Sequence, residues 1–155
     1  MTQFACVLSA LIHDVDHTGV PNSQLIETNK ELAELYGNKS VAEQNSVDLA
    51  WDLLMEPAYD SLRASIYKTQ EELERFRHLV VNSVMATDIV DKELGDLRRQ
   101  RWDRAFLNGS GNAARVSSCG SDEQTRKDDV NRKATIVIEH LIQASDVAHT
   151  MQHWQ

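Results

Sequence analysis

Apolar positions recur at helical spacing along most of this chain, and nowhere alternate as a half-buried strand would. Phe4 to Ile12 is almost unbroken apolar sequence and predicts a first, buried helix. A helix that is apolar nearly all round expects neighbours to cover it. With only three residues ahead of Phe4, that run hints that the chain opens inside a larger fold. Gly19, Pro21 and Asn22 mark a turn. Ser23 can cap a second helix carrying Leu25, Thr28, Leu32 and Leu35 on one face, with Gly37 and Asn38 to end it. Ser40-Val-Ala-Glu43 reads as a capping box. It opens a third helix in which Val47, Ala50, Trp51 and Leu54 fall at helical spacing, closed by Glu56-Pro57. A second capping box, Thr69 to Glu72, opens a helix with the stripe Leu73, Phe76, Val80 and Val84. A charged helix spans Lys92 to Phe106, and a last one runs from Val130 through Ile136, Val137, Leu141 and Ala144 to the end. The expected fold class is all-α, a compact multi-helix arrangement without strands or internal repeats.

Between the last two helices the pattern fails. Residues 107–129 are rich in Gly, Ser, Asn and charge, with almost nothing to bury, and predict a disordered insertion. Arg115-Val-Ser-Ser118 inside it has the form of a kinase target, although exposed serines near an arginine are common.

Composition narrows the function classes. A net charge of −8 opposes a nucleic-acid or anionic-membrane surface, which needs a concentrated basic patch. The arginines of residues 98–104 form the one basic cluster, and a solvated helix face accounts for them. Cys6 and Cys119 make no metal or disulfide spacing pattern, which suits a reducing, cytoplasmic compartment. The longest apolar run falls far short of the ~20 residues a bilayer-spanning helix needs, and it lacks a signal peptide's basic start.

The chemistry concentrates in His13-Asp14-Val15-Asp16-His17-Thr18-Gly19. The spacing sets two imidazoles four residues apart, on one helix face, with a carboxylate beside the first. Polar and charged groups directly after a buried apolar helix are expensive to hold unless something neutralises them. A divalent cation does so, accepting imidazole nitrogen and carboxylate oxygen together. A solvated helix C-terminus is the alternative. Elsewhere Glu43 either closes its capping box or points inward with Val47 and Leu54. Thr87 continues the Val80 and Val84 stripe. Asp146 shares a polar stripe with Glu139, Gln143, His149 and His153, which either lines a cleft or meets water. The pair His149 and His153 is better explained by a solvated helix end than by a metal.

The seven-residue string resembles the signature of class I 3′,5′-cyclic-nucleotide phosphodiesterases, within the wider His-Asp phosphohydrolase group. Asn22 fits that signature, and Gln24 departs from it. Ser40-Val-Ala-Glu-Gln, Ala86-Thr87-Asp88 and Ala144-Ser-Asp146 resemble later family segments, in order. The resemblance implies metal-dependent hydrolysis of cyclic AMP or cyclic GMP to 5′-nucleotides in signal transduction. It implies two divalent ions, zinc and magnesium or manganese, with His13, Asp14 and Asp146 as metal ligands meeting at one point. It gives His17, Glu43 and Thr87 contacts to those ligands or to coordinated water. The chain then reads, over residues 1–155, as part of a catalytic domain truncated at both ends, which leaves open a membrane anchor elsewhere in its parent. No His here is followed by Asn, so the family's His-Asn-x-x-His, which carries the leaving-group acid, is missing. Asn45 and Ser46 stand where the family usually has paired histidines. The other reading is a degenerate helical domain kept for interaction.

Overall fold

A computed structural model describes residues 1–107 and 122–151, with the side chains of Asp122, Gln124, His149 and Met151 excepted. The described residues carry helices and turns and no strand. They divide into two compact units, Met1–Asp88 and Ile89–Gln155.

The first unit begins with α1 (Thr2–Ile12), which packs along α6 (Gln70–Met85). Ala5, Ser9 and Ile12 form the buried face of α1. The opposite face is not covered, with Val7 68% and Leu11 76% exposed, so the expectation of a helix buried all round is corrected. The small residues Ala5 and Ser9 let the two helices approach closely. Phe76 on α6 is fully buried and forms the hub, with Phe4, Trp51 and Tyr67 rings 5.9–6.1 Å from it. The stripe Phe76, Val80 and Val84 is buried as its spacing requires.

Two helices stand where one was expected after the Pro21 turn. They are α2 (Asn22–Thr28) and α3 (Lys30–Leu35). The chain breaks at Asn29, whose φ of −125° and ψ of 81° leave the helical region. Thr28 Oγ1 bonds back to the Gln24 carbonyl at 2.9 Å, and Asn29 Oδ1 accepts the Leu32 N–H at 3.1 Å. Asn and Thr bond locally to backbone in competition with the helix ladder, and apolar spacing carries no trace of that competition. Gly37 and Asn38 follow with positive φ, as a helix stop demands.

Next comes α4 (Val41–Met55), burying Val47 and Leu54. A turn of 3-10 helix (Pro57–Tyr59) and α5 (Asp60–Ile66) follow it, neither of them legible in the periodicity. Arg63 of α5 reaches back to the carbonyls of Leu54 and Glu56, at 2.5 and 2.8 Å, and so satisfies the open end of α4. The capping box of α6 forms with a shift. Thr69 Oγ1 accepts the Glu72 N–H at 3.2 Å, while Glu72 accepts from Lys68 N–H at 2.7 Å, one residue before the cap.

The second unit holds α7 (Lys92–Trp102), capped by Asp91, a π-turn (Asp103–Leu107), α8 (Asp122–Val147) and a 3-10 turn (Ala148–Met151). The start of α8 corrects the expected insertion, because residues 122–129 are helical. Asp129 pairs there with Arg132 and Lys133, at 2.6 and 2.7 Å. Residues 108–121, including the Arg115-Val-Ser-Ser118 segment, lie outside the described residues, as does His153. Glu139 on α8 is 2% exposed and accepts from Arg101 Nη1 at 3.0 Å with both oxygens. Burial pushes its carboxyl above the usual range, and Arg101 opposes that without cancelling it. The polar stripe of α8 therefore starts inside a core. No helix among the described residues is long and apolar enough to cross a membrane.

Candidate functional site

The His-Asp string does not continue α1. Helical bonding ends with His13 N–H on the Ser9 carbonyl, and Asp16 turns left-handed at φ 61°. His13 and His17 are therefore not stacked on one helix face, which corrects that expectation. A left-handed non-glycine residue is tolerated best by Asp and Asn, whose side chains bond locally. Here the Asp16 carboxylate accepts from Asn45 Nδ2 at 3.0 Å.

His13 is held in one tautomer. Its Nδ1 lies 3.0 Å from the Ala10 carbonyl, an acceptor only, so Nδ1 carries the proton. Nε2 is left as the lone-pair nitrogen in the neutral ring, 3.3 Å from Asp14 Oδ2. Two electron-pair donors at that distance repel unless a proton or a cation lies between them. A backbone carbonyl behind the ring is also the support that orients metal-binding histidines. His17 has the opposite tautomer, because its Nδ1 accepts the Gly19 N–H at 3.1 Å. Its proton sits on Nε2.

Behind the string lies a polar network that the sequence did not disclose. Asn22 Oδ1 accepts the Ala42 N–H at 2.9 Å, which fixes the amide so that Nδ2 faces two carboxylates. It donates to Glu43 Oε2 at 2.8 Å and, more weakly, towards Asp88 Oδ2 at 3.4 Å. Ser40 donates to the same Asp88 oxygen at 2.7 Å, buried. The capping box expected at Ser40 and Glu43 is thus absent. Asn22 caps α4 from a distance, and Ser40, itself left-handed at φ 39°, is released to hold Asp88. Burial raises the Glu43 pKa; Asn22 opposes this, Asp88 adds to it, and the nearby His17 lowers it.

Asn45 and Ser46 support the string directly. Ser46 is fully buried, its Oγ 2.7 Å from the Val15 carbonyl and 3.0 Å from that of Ala42. Sequence reading treated both only as departures from a pattern. Their short polar side chains on the first turns of α4 were the available signal. Thr87 is half-buried, and its hydroxyl donates to the Val84 carbonyl at 2.7 Å, leaving only lone pairs for a water.

The structure therefore brings His13 to Asp14, and gathers Asn22, Ser40, Glu43 and Asp88. Asp146 is half-buried near the end of α8, in the second unit. Among the described residues, no three His, Cys, Asp or Glu side chains stand together as a metal site.

An all-helical domain with a supported His-Asp turn and two hydrogen-bonded acids behind it, Asp88 buried and Glu43 half-buried, is the class these features define. The chain belongs to the 3′5′-cyclic nucleotide phosphodiesterase family, whose model matches residues 1–155. Over 85 residues it is 39% identical to a probable 3′,5′-cyclic-AMP phosphodiesterase of Caenorhabditis elegans, covering 55% of this chain and 12% of that protein. A dual-specificity calcium/calmodulin-dependent 3′,5′-cyclic nucleotide phosphodiesterase of Mus musculus is 37% identical over 86 residues, 56% of this chain and 12% of the relative. The chain thus spans about one-eighth of the length of these relatives. Its fold is similar to the phosphodiesterase domain of the RhoPDE fusion protein from the choanoflagellate Salpingoeca rosetta. That likeness has a TM-score of 0.67 at 24% identity, covering 94% of this chain and 40% of the other.

Proposed function

We propose that this chain contributes to the metal-dependent hydrolysis of 3′,5′-cyclic nucleotides to 5′-nucleotides. The observation that carries the proposal is His13, whose tautomer sets an Nε2 lone pair beside the Asp14 carboxylate. This donor chemistry fits a divalent ion of the zinc, magnesium or manganese kind. His13 and Asp14 would hold it, with Asp146 as the third ligand. Such ions, when bound, supply positive charge to the phosphate oxygens and to the attacking water.

The chain's own residues do the positioning. Ala10 orients His13, while Asn45 and Ser46 fix the turn that presents Asp14. Asn22 holds Glu43, and Glu43, His17 and Thr87 are the groups proposed to orient water at the site. The 155 residues contain no His-Asn-x-x-His, and so no group proposed here to protonate the leaving 3′ oxygen. The chain by itself is expected to turn over neither cyclic AMP nor cyclic GMP, since general acid catalysis is typically worth ~10²–10⁴-fold.

The test uses zinc or manganese with the full chain, read by calorimetry and by product release. Metal should bind wild type and be lost in His13→Ala and in Asp146→Ala, with no turnover in any of them. Equal binding in all three proteins would sink the ligand assignment. Turnover above the His13→Ala level would refute the inactivity and make His17 the first substitute acid to examine.

A further inference from the structure

The second unit carries a pocket of about 420 Å³, inside the ~300–1,000 Å³ range of small-molecule sites. Arg98 and Arg99 line it, with Trp102 and Ile89 as apolar wall and His140 and Gln143 from α8 opposite. The arginine cluster, which spacing alone assigned to a solvated face, is thus divided in its use. Arg101 pairs with the buried Glu139, whose carboxyl the Arg98 charge also pulls down, and Arg98 and Arg99 both border a cavity.

Three features make this more than a surface dent. His140 is fixed, because Nδ1 lies 2.8 Å from the Ile136 carbonyl and Trp102 packs on its ring, centroids 4.7 Å apart. The ring's proton is therefore on Nδ1 in the neutral form, and Nε2 is the atom left for a ligand. The Trp102 ring is itself braced by Phe106 at 4.5 Å. Gly95 also lines the pocket, in the interior of α7, where glycine is a poor helix former. A Cβ added there would meet nothing within 4 Å, so neither close packing nor positive φ explains it. It leaves that part of the cavity lining without a side chain.

We infer that this pocket binds a small organic anion, a phosphate or carboxylate carried on a planar ring. The two guanidiniums would take the anion, since their forked donors match phosphate and carboxylate oxygens. The ring would lie against Trp102 and Ile89, with Gln143 and His140 Nε2 meeting its polar edge. In a chain of net charge −8 this is a local concentration of positive charge beside apolar surface.

Calorimetric titration of the full chain with phenyl phosphate tests the inference, with inorganic phosphate and phenylacetate as separate arms. Phenyl phosphate or phenylacetate should bind more tightly than inorganic phosphate, and the tighter of the two identifies the anionic group. Substituting Arg98→Gln and Arg99→Gln together should weaken binding by about tenfold or more, the scale of hydrogen bonds to charged groups. Gly95→Leu should block the aromatic anions while leaving the thermal transition as high as wild type, because leucine favours the helix. His13→Ala, in the other unit, should bind as wild type does. Absence of binding would overturn the inference. So would undiminished binding by either pocket variant with a native circular-dichroism spectrum, equal affinity for inorganic phosphate, or loss of binding in His13→Ala.

Discussion

Asn22 is the residue on which the first unit's polar interior depends. One amide caps α4 through Ala42 and donates to Glu43, with a weaker approach to Asp88. Its removal would leave a backbone N–H and a half-buried carboxylate without this partner, each costing about 1–3 kcal/mol. Asn22→Leu should therefore lower stability by about 2–4 kcal/mol in urea denaturation. Asn22→Asp should do worse at neutral pH than at acid pH, because a third carboxylate then faces Glu43 and Asp88. Ser40 allows a sharper comparison. It is left-handed without being glycine, and its hydroxyl holds Asp88. Ser40→Ala loses the bond and keeps the strain; Ser40→Gly loses the bond and relieves it. Alanine should be the less stable by about 1–2 kcal/mol. Equal stabilities would show that the backbone relaxes once the hydroxyl is gone.

Between elements, the Glu139–Arg101 contact joins α8 to α7 and sets a pH dependence. Folding raises the Glu139 pKa because the carboxylate loses water. Such a group binds its proton more tightly when folded. Its contribution to stability is full below the unfolded-state pKa of about 4.3 and is lost as pH rises through the raised folded value. Glu139→Gln cannot ionise and should lack that loss. The stability of the variant relative to wild type should therefore increase as pH rises through this window. A difference that stays flat would mean that Arg101 fully compensates the burial. Helix ends make a second test at this scale. Asn29→Ala removes the cap on α3 and should cost about 1 kcal/mol, yet Ser23→Ala should cost almost nothing, because Pro21 and not Ser23 occupies the cap of α2.

For the whole molecule, the decisive prediction couples metal to stability. If His13, Asp14 and Asp146 hold a cation in the folded state alone, binding adds RT ln(1 + [L]/Kd), about 2.7 kcal/mol at a hundredfold excess over Kd. Zinc or manganese should then raise the melting temperature, and a chelator should reverse the rise. Asp146→Ala should abolish most of it. Asp129→Ala breaks the Arg132 and Lys133 pairs on α8 and should shift only the baseline, leaving the metal increment intact. A metal increment that survives His13→Ala and Asp146→Ala unchanged would place the binding elsewhere on the surface. Phe76→Ala offers the corresponding control on the core. Deleting the ring that meets Phe4, Trp51 and Tyr67 should destabilise the first unit by about 3–5 kcal/mol.

The sequence by itself determined the all-helical class, the buried stripe of α6, the stop at Gly37 and Asn38, and the family through its His-Asp string. These rest on local spacing, on residues with special backbone freedom, and on a contiguous motif, all of which a linear chain displays. The partners of Ser40, Glu43, Asn45 and Ser46 were decided only by tertiary structure. Ser40 and Glu43 satisfy every local rule of a capping box, and they bond elsewhere because Asn22 arrives from α2 with a better acceptor for Ala42 and Asp88 arrives from beyond α6. The break at Asn29 and the turn at Asp16 were likewise invisible to periodicity, since each depends on a side chain competing with the helix for the same backbone groups. Most of all, Arg98, Arg99 and Arg101 look alike in sequence. Packing alone sets Arg101 against the buried Glu139 and places the other two around a cavity, because charge is solvated or paired according to what folds against it.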